Sequence, residues 1–244
     1  MFKLHAAFSA SFPGVLGIQK SLSAVRNNDR KIRDLLNQVP PHLSLPPNYI
    51  PTVGETSLEI IRRYTIACIT QSHFVTLHRP YRSVSPFSKD AALTAAWKLC
   101  QYQSRIMALS LVLEPFKWFI EEFLDPHIFR AVAFLGCNLT REPENPNAGT
   151  IVQQVGICAE QAKLKSLRKN DCVKAYGVLR AIQATLAEKQ ILPEPVETPP
   201  HATTDLLVGV SADGWGMEEV LTESMFRWDE YLVDMVLDTN QDAI

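Results

Sequence analysis

Apolar residues recur along the chain in steps of three and four, the period of α-helices that bury one face. Ile32, Leu35, Leu36 and Val39 keep that step up to Pro40 and Pro41, with Asn28 or Asp29 read as the cap that opens the helix. Thr56 and Glu59 have capping-box spacing. Behind them Leu58, Ile61, Tyr64, Cys68, Ser72 and Val75 form a stripe, widened by Ile60, Ile69 and Phe74, that runs to Pro80 and predicts a central helix. After a turn at 83–88, Ala91, Ala95, Leu99, Tyr102, Ile106, Leu109 and Leu113 predict about six helical turns ending near Pro115. Asp125 before Pro126 reads as an N-cap with proline in the first turn, opening a helix through Phe129, Val132, Ala133 and Gly136. Ile151, Val155, Cys158 and Ala162 mark another helix. Cys172, Ala175, Tyr176, Leu179, Ile182 and Leu186 mark its antiparallel partner, capped by Asn170 or Asp171.

The sixteen prolines fall mainly between these segments, which is where a residue without an amide donor is tolerated. Residues 42–54, with Pro46, Pro47 and Pro51, read as an extended connector. Residues 192–216 read as a Pro-rich loop, followed by an amphipathic C-terminal helix through Trp228, Tyr231, Leu232 and Met235. Residues 1–19 form a segment of uncertain order, and Ser9, Ser11 and Pro13 interrupt it too often for a signal peptide. No run alternates with the two-residue period of a strand. The expected fold class is all-α: an antiparallel helical array of about seven to nine helices with no sheet, forming one domain over residues 20–244.

Composition narrows the chemistry. Of 244 residues, 46% are hydrophobic and 20% charged, ordinary usage for a chain that builds its own core. A net charge of −2 gives no general field for a phosphate backbone. The absence of any apolar run of about 18 residues argues for a soluble protein with no membrane span. Cys68, Cys100, Cys137, Cys158 and Cys172 show no C-x-x-C pair and read as buried thiols in a reducing compartment, so no metal and no cofactor is expected. His73 and His78 are five apart, on different helix faces, and so do not form a metal pair. Cys68 has no base near it in the sequence, and Glu121, Glu122 and Asp125 read as solvated charges or caps; no residue is expected to be catalytic. The basic run Lys163, Lys165, Arg168 and Lys169 reads as an exposed helix face.

The stretch from His73 to Tyr81, ending Leu77-His78-Arg79-Pro80-Tyr81, resembles the "LHRPY" helix exit of the fungal-specific regulatory domain, or middle homology region, of zinc-cluster transcription factors. The preceding "IRDLLNQVPPHLSLPP" resembles the segment found before that helix in the family. Residues 91–113, 126–134 and Trp228-Asp229-Glu230-Tyr231-Leu232 are similar to its later helices and its terminal acidic-aromatic segment. The resemblance covers roughly residues 20–238 and implies a helical regulatory domain in a fungal nuclear regulator of metabolic or secondary-metabolite genes. His78, Arg79, Pro80 and Tyr81 would be structural there. The family's six-cysteine DNA-binding module has no counterpart before Cys68, so direct DNA binding by this chain is not expected.

Two function classes follow. A regulator acting through protein contacts would pair with a full-length zinc-cluster regulator or with itself, Trp228, Tyr231 and Leu232 being the contact expected, in the nucleus with the cytoplasm as the alternative. A small-molecule sensor or a recruited enzyme would instead need a cavity between the two long helices, with Tyr64, Cys68, Trp97 and Tyr102 as its expected lining.

Overall fold

The three-and-four spacing folds as helix along most of the described chain. The computed structural model describes residues 22–166 and 170–189, of which 79% are helical and none is in a strand. Six long helices carry these residues: α1 (Leu22–Asn37), α2 (Ser57–His78), α3 (Pro86–Ala108), α4 (Asp125–Arg141), α5 (Ala148–Ser166) and α6 (Asn170–Glu188). The expected C-terminal helix, the Pro-rich loop at 192–216 and the segment 1–19 lie outside the described residues. None of the described helices is long and apolar enough to cross a membrane. Two compact units divide at Ala95 and Ala96, inside α3.

In the first unit, α1 already runs from Leu22, so Asn28 and Asp29 are interior residues rather than caps. The reason is legible in the burial: Val25, Asp29 and Ile32 are the buried positions, so Asp29 occupies a core site on the apolar stripe. The capping box of α2 forms as predicted, Glu59 N–H donating to Thr56 Oγ1 at 3.3 Å and Thr56 N–H to the Glu59 carboxylate at 2.8 Å. Just ahead of it Gly54 sits at φ +95°, a turn conformation that disfavours other residues. Ile60, Ile61, Tyr64, Cys68, Phe74 and Val75 are buried on α2.

Proline leaves the stretch from Pro40 through the 42–54 connector short of its own backbone donors, and Arg63 of α2 supplies replacements. Its Nη1 donates to the carbonyls of Pro41 (3.0 Å) and Ser44 (2.5 Å), and its Nε to Glu55 (2.8 Å). The guanidinium also lies over the Tyr49 ring at 5.3 Å.

In the second unit, α3 stops at Ala108 rather than continuing to Pro115. Past a turn the backbone tightens into a 3₁₀ turn at Glu114–Phe116, makes one α-turn at Lys117–Phe119, then widens into a π-turn at Ile120–Leu124 that runs straight into α4. Asp125 is therefore helical (φ −56°, ψ −41°), and the N-cap position of α4 is Leu124. Helices α4, α5 and α6 pack on one another around Gly136, where a Cβ would come within 2.7 Å of Ile182 Cγ2 and 3.1 Å of Val155 Cγ2. A Cβ at Gly156 of α5 would lie 3.5 Å from Gln183 Nε2 of α6, so these two positions face each other. Small residues are buried on these three helices, among them Ala131, Ala159, Ala162 and Ala175.

Candidate functional site

The helix exit singled out in the sequence is a buried polar cluster. His78, the last residue of α2, is 0% exposed. Its Nε2 is 3.0 Å from Asp29 Oδ1 on α1, and its Nδ1 is 3.3 Å from Ser88 Oγ in the first turn of α3. Arg33 closes on the same carboxylate with a fork, Nε at 2.7 Å and Nη2 at 3.0 Å. Rings enclose the imidazole, Phe74 stacked at 6.3 Å and Phe87 edge-on at 5.3 Å. Burial pushes the His78 pKa below the ordinary histidine range, despite the opposing pull of Asp29. The neutral ring then donates from Nε2 to Asp29 and accepts the Ser88 hydroxyl at Nδ1. Burial raises the Asp29 pKa, but the bonds from Arg33 and His78 outweigh it and hold the carboxyl below its usual range.

A serine, a histidine and an aspartate in one hydrogen-bonded row invite comparison with a hydrolytic triad. Ser88 is 0% exposed, however, so no substrate reaches its hydroxyl, and the row fastens three helices together. Pro80 opens a 3₁₀ turn over Arg79–Tyr81 where an α-helix cannot continue; Arg79 and Tyr81 are half-buried and Pro80 is exposed. All four motif residues thus shape the exit.

The second candidate lies within the second unit, a half-open cleft of about 210 Å³. The C-terminal half of α3 supplies Gln103, Ile106 and Met107. The turn region supplies Leu113, Glu114, Lys117, Ile120 and Glu121; α4 adds Asp125 and Ile128, and α5 adds Gln161 and Lys165. Ile106, Leu113 and Ile128 are buried and make the floor apolar. Lys165 pairs with Asp125, and its ammonium lies 3.9 Å from Glu121. Lys165 is therefore not the solvated helix-face charge expected of the basic run; Lys163, which meets Glu160 at 3.8 Å in the open, is. Gln103, 3% exposed, donates to Gln161 Oε1 at 2.9 Å and accepts the Cys158 thiol at 3.4 Å.

These groups are poorly set for nucleophilic chemistry. Burial pushes the Cys158 thiol far above its ordinary pKa and Cys100 up to about 12, which keeps both protonated. The Asp125 carboxylate is engaged by Lys165. What the cleft offers is shape, an apolar floor and a charged rim.

Of the other expected site residues, Tyr64 and Cys68 are buried one turn apart on α2 in the first unit, Tyr64 with Tyr49 edge-on at 6.2 Å. Trp97 and Tyr102 are half-buried on α3 in the second. None of the four lines the cleft. Trp228, Tyr231, Leu232, Arg168 and Lys169 lie outside the described residues. Among the described residues no three His, Cys, Asp or Glu side chains gather closely enough to hold a metal ion. Comparison with protein-family models, with curated proteins and with solved structures finds no match to this chain.

Sequence reasoning missed Asp29, Arg33, Ser88, Gln103 and the Lys165–Asp125 pair. A signal existed for two: Asp29 and Gln103 each stand where the helical step calls for an apolar residue, between Val25 and Ile32 and between Leu99 and Ile106. Lys165 and Asp125 are far apart in sequence, and no local period joins them.

Proposed function

We propose that this chain is a transcription-factor-like regulatory protein of fungal origin, which controls metabolic or secondary-metabolite genes in the nucleus through protein contacts, without binding DNA itself. The reading carries with it a completed antiparallel array of about seven to nine helices, no catalytic role, and a partner that is a full-length zinc-cluster regulator or a second copy.

One observation carries the reading. The two neighbouring stretches that resemble the regulatory domain are both held by long-range polar contacts: the Pro-rich stretch to α2 by Arg63, and the His78 exit of α2 to α1 by Asp29 and to α3 by Ser88. Residues that look like family markers are thus the ones that hold this part of the fold together, as expected when a resemblance reflects shared architecture.

A sensor of small molecules is the second reading, and the charged cleft at Asp125 and Lys165 is what favours it. Its size counts against it, because ligand pockets usually run from about 300 to 1,000 Å³.

Deleting the coding gene and measuring neighbouring transcripts beside the metabolites of the same gene set separates the classes. A coordinated rise or fall of transcripts is the expected result. Unchanged transcripts with one accumulating intermediate would mean that the protein does chemistry, and would overturn the proposal.

A further inference from the structure

We infer that the arginine face of α1 is a docking surface for the acidic C-terminal segment, residues 217–242, of a second copy of this chain. This rests on the regulatory reading above, in which that segment makes the partner contact, and names the surface that receives it. Arg26, Arg30 and Arg33 stand at i, i+4 and i+7, so they share one stripe of α1 about 10 Å long. All three are exposed. Rings of the helix exit hold two of them in place, Arg26 over Phe87 at 5.7 Å and Arg33 over Phe74 at 4.9 Å.

Little in the first unit offsets this charge. Residues 22–95 carry nine Lys and Arg against five Asp and Glu. Three of those acids are already committed: Asp29 to Arg33 and His78, Glu55 to Arg63, and Glu59 to the capping box. Asp34 and Asp90 are exposed, yet no carboxylate among the described residues forms an ion pair with Arg26, Arg30 or the neighbouring Lys31.

The complementary charge is written in the same sequence. Residues 217–242 hold eight Asp and Glu against Arg227 alone. Glu230, Asp234 and Asp238 recur every four residues, so the helix expected there gives them one stripe with the same rise as the α1 arginines. A guanidinium takes a carboxylate in a fork, as Arg33 does with Asp29. Trp228, Tyr231 and Leu232 lie within the same segment and supply apolar area. A nucleic acid fits less well: the chain carries a net charge of −2, so a long polyanion is repelled by the rest of the molecule, whereas a short segment responds to charges within about 8 Å. In a two-fold pair the contact forms twice.

The test uses the full chain and a charge swap, with dimerisation followed by analytical ultracentrifugation. Arg26→Glu with Arg30→Glu should weaken the dimer at least about tenfold, and so should Glu230→Lys with Asp234→Lys and Asp238→Lys. Both sets combined should recover most of the affinity, since opposite charges then face each other again. Arg26 and Arg30 are exposed, and unchanged circular dichroism confirms folding. Location is read from an Arg30→Lys chain, which keeps the charge and adds an amine for zero-length carbodiimide cross-linking. In a mixture of light and isotopically heavy chains, links from position 30 to carboxylates of 217–242 should join light to heavy, and 1 M salt, with a Debye length of about 3 Å, should suppress them. A chain that stays monomeric, a swap that recovers nothing, or links confined to one copy overturns the inference. So does a labelled single-stranded oligonucleotide that binds the full chain and is lost with Arg26→Glu and Arg30→Glu while the dimer persists, which assigns the face to nucleic acid.

The gene deletion keeps the two proposals apart. If deletion changes transcripts but the dimer is indifferent to both charge reversals, the surface is wrong and the regulatory reading stands. If deletion changes nothing while the swap recovers the dimer, the regulatory reading fails and the surface remains.

Discussion

Replacing Asp29 with alanine removes the acceptor on which the buried helix exit depends. The His78 Nε2 donor, 3.0 Å from that carboxylate on a fully buried ring, is left without its partner. A buried donor stripped in this way costs about 1–3 kcal/mol, toward the upper end where the lost acceptor is charged. The Arg33 fork adds little, since its side chain is 56% exposed and water replaces the carboxylate. The expected loss is about 2–3 kcal/mol for Asp29→Ala and about 1 kcal/mol for Asp29→Asn, whose amide oxygen still accepts from His78. Trp97 and Trp118, the tryptophans among the described residues, both belong to the second unit. Hydrogen exchange of the α1 amides should therefore accelerate about thirtyfold or more, matching a loss of 2 kcal/mol.

The pH dependence has a definite sign. The pKa of His78 is lowered by folding, so its contribution is complete above about 6.5 and is lost as pH falls through the folded value. The pKa of Asp29 is lowered too, so its contribution holds above about 4 and disappears below. In Asp29→Asn the imidazole resonances should titrate at still lower pH, because the neighbour that favoured the charged ring is gone. An Asp29→Ala chain within about 0.5 kcal/mol of wild type, or one indistinguishable from Arg33→Ala, refutes the claim that the exit is keyed by His78.

Two further substitutions test the second unit. Gly136→Ala places a methyl 2.7 Å from the branched side chain of Ile182. Overpacking of about 1–3 kcal/mol then exceeds the helix-propensity gain of up to about 1, whereas Gly177→Ala, with nothing within 4 Å, keeps that gain. Urea midpoints moving down for the first and up for the second are expected; movement in the same direction refutes the close approach. Lys165→Met strands the largely buried Asp125 charge and should lower stability by about 1–3 kcal/mol, less than for a fully buried pair because the lysine is 21% exposed. Adding Asp125→Leu should recover most of that loss, and a double-mutant cycle without coupling would show that the pair contributes nothing.

Helix existence was legible because it rests on a local period, and so was the α2 cap, because the capping box is written within four residues. Ends were less legible. Asp29 and Asp125 both resemble caps in sequence, yet each carboxylate serves a distant cation or imidazole, and a local rule is blind to a partner supplied by another helix. The region 109–124 fails for a related reason: Leu109 and Leu113 keep the helical step, but 3₁₀ and π turns take over, and a three-and-four period does not distinguish among helices of slightly different pitch. The cleft was invisible because its walls come from α3, α4 and α5 together.

These differences decide which substitutions speak to function. The stretches of the resemblance are tied down internally: His78 is buried against Asp29, and the carbonyls of Pro41 and Ser44 are held by Arg63. Changing them lowers stability whatever the protein does, so lost output from Asp29→Ala would be expected of a regulator, a sensor or a scaffold alike. The surface at Glu114 and Trp118 has the opposite character. Glu114 is exposed and tied only by a long ion pair, so its substitution should leave stability within the usual surface range of about 0.5 kcal/mol, whereas Trp118→Ala also gives up edge contacts with Phe119 and Phe123 worth about 0.5–1.5 kcal/mol each. A change of output at unchanged stability then has to come from a lost contact. For this chain the discriminating positions therefore lie outside the motif that suggested its class, at exposed side chains such as Glu114.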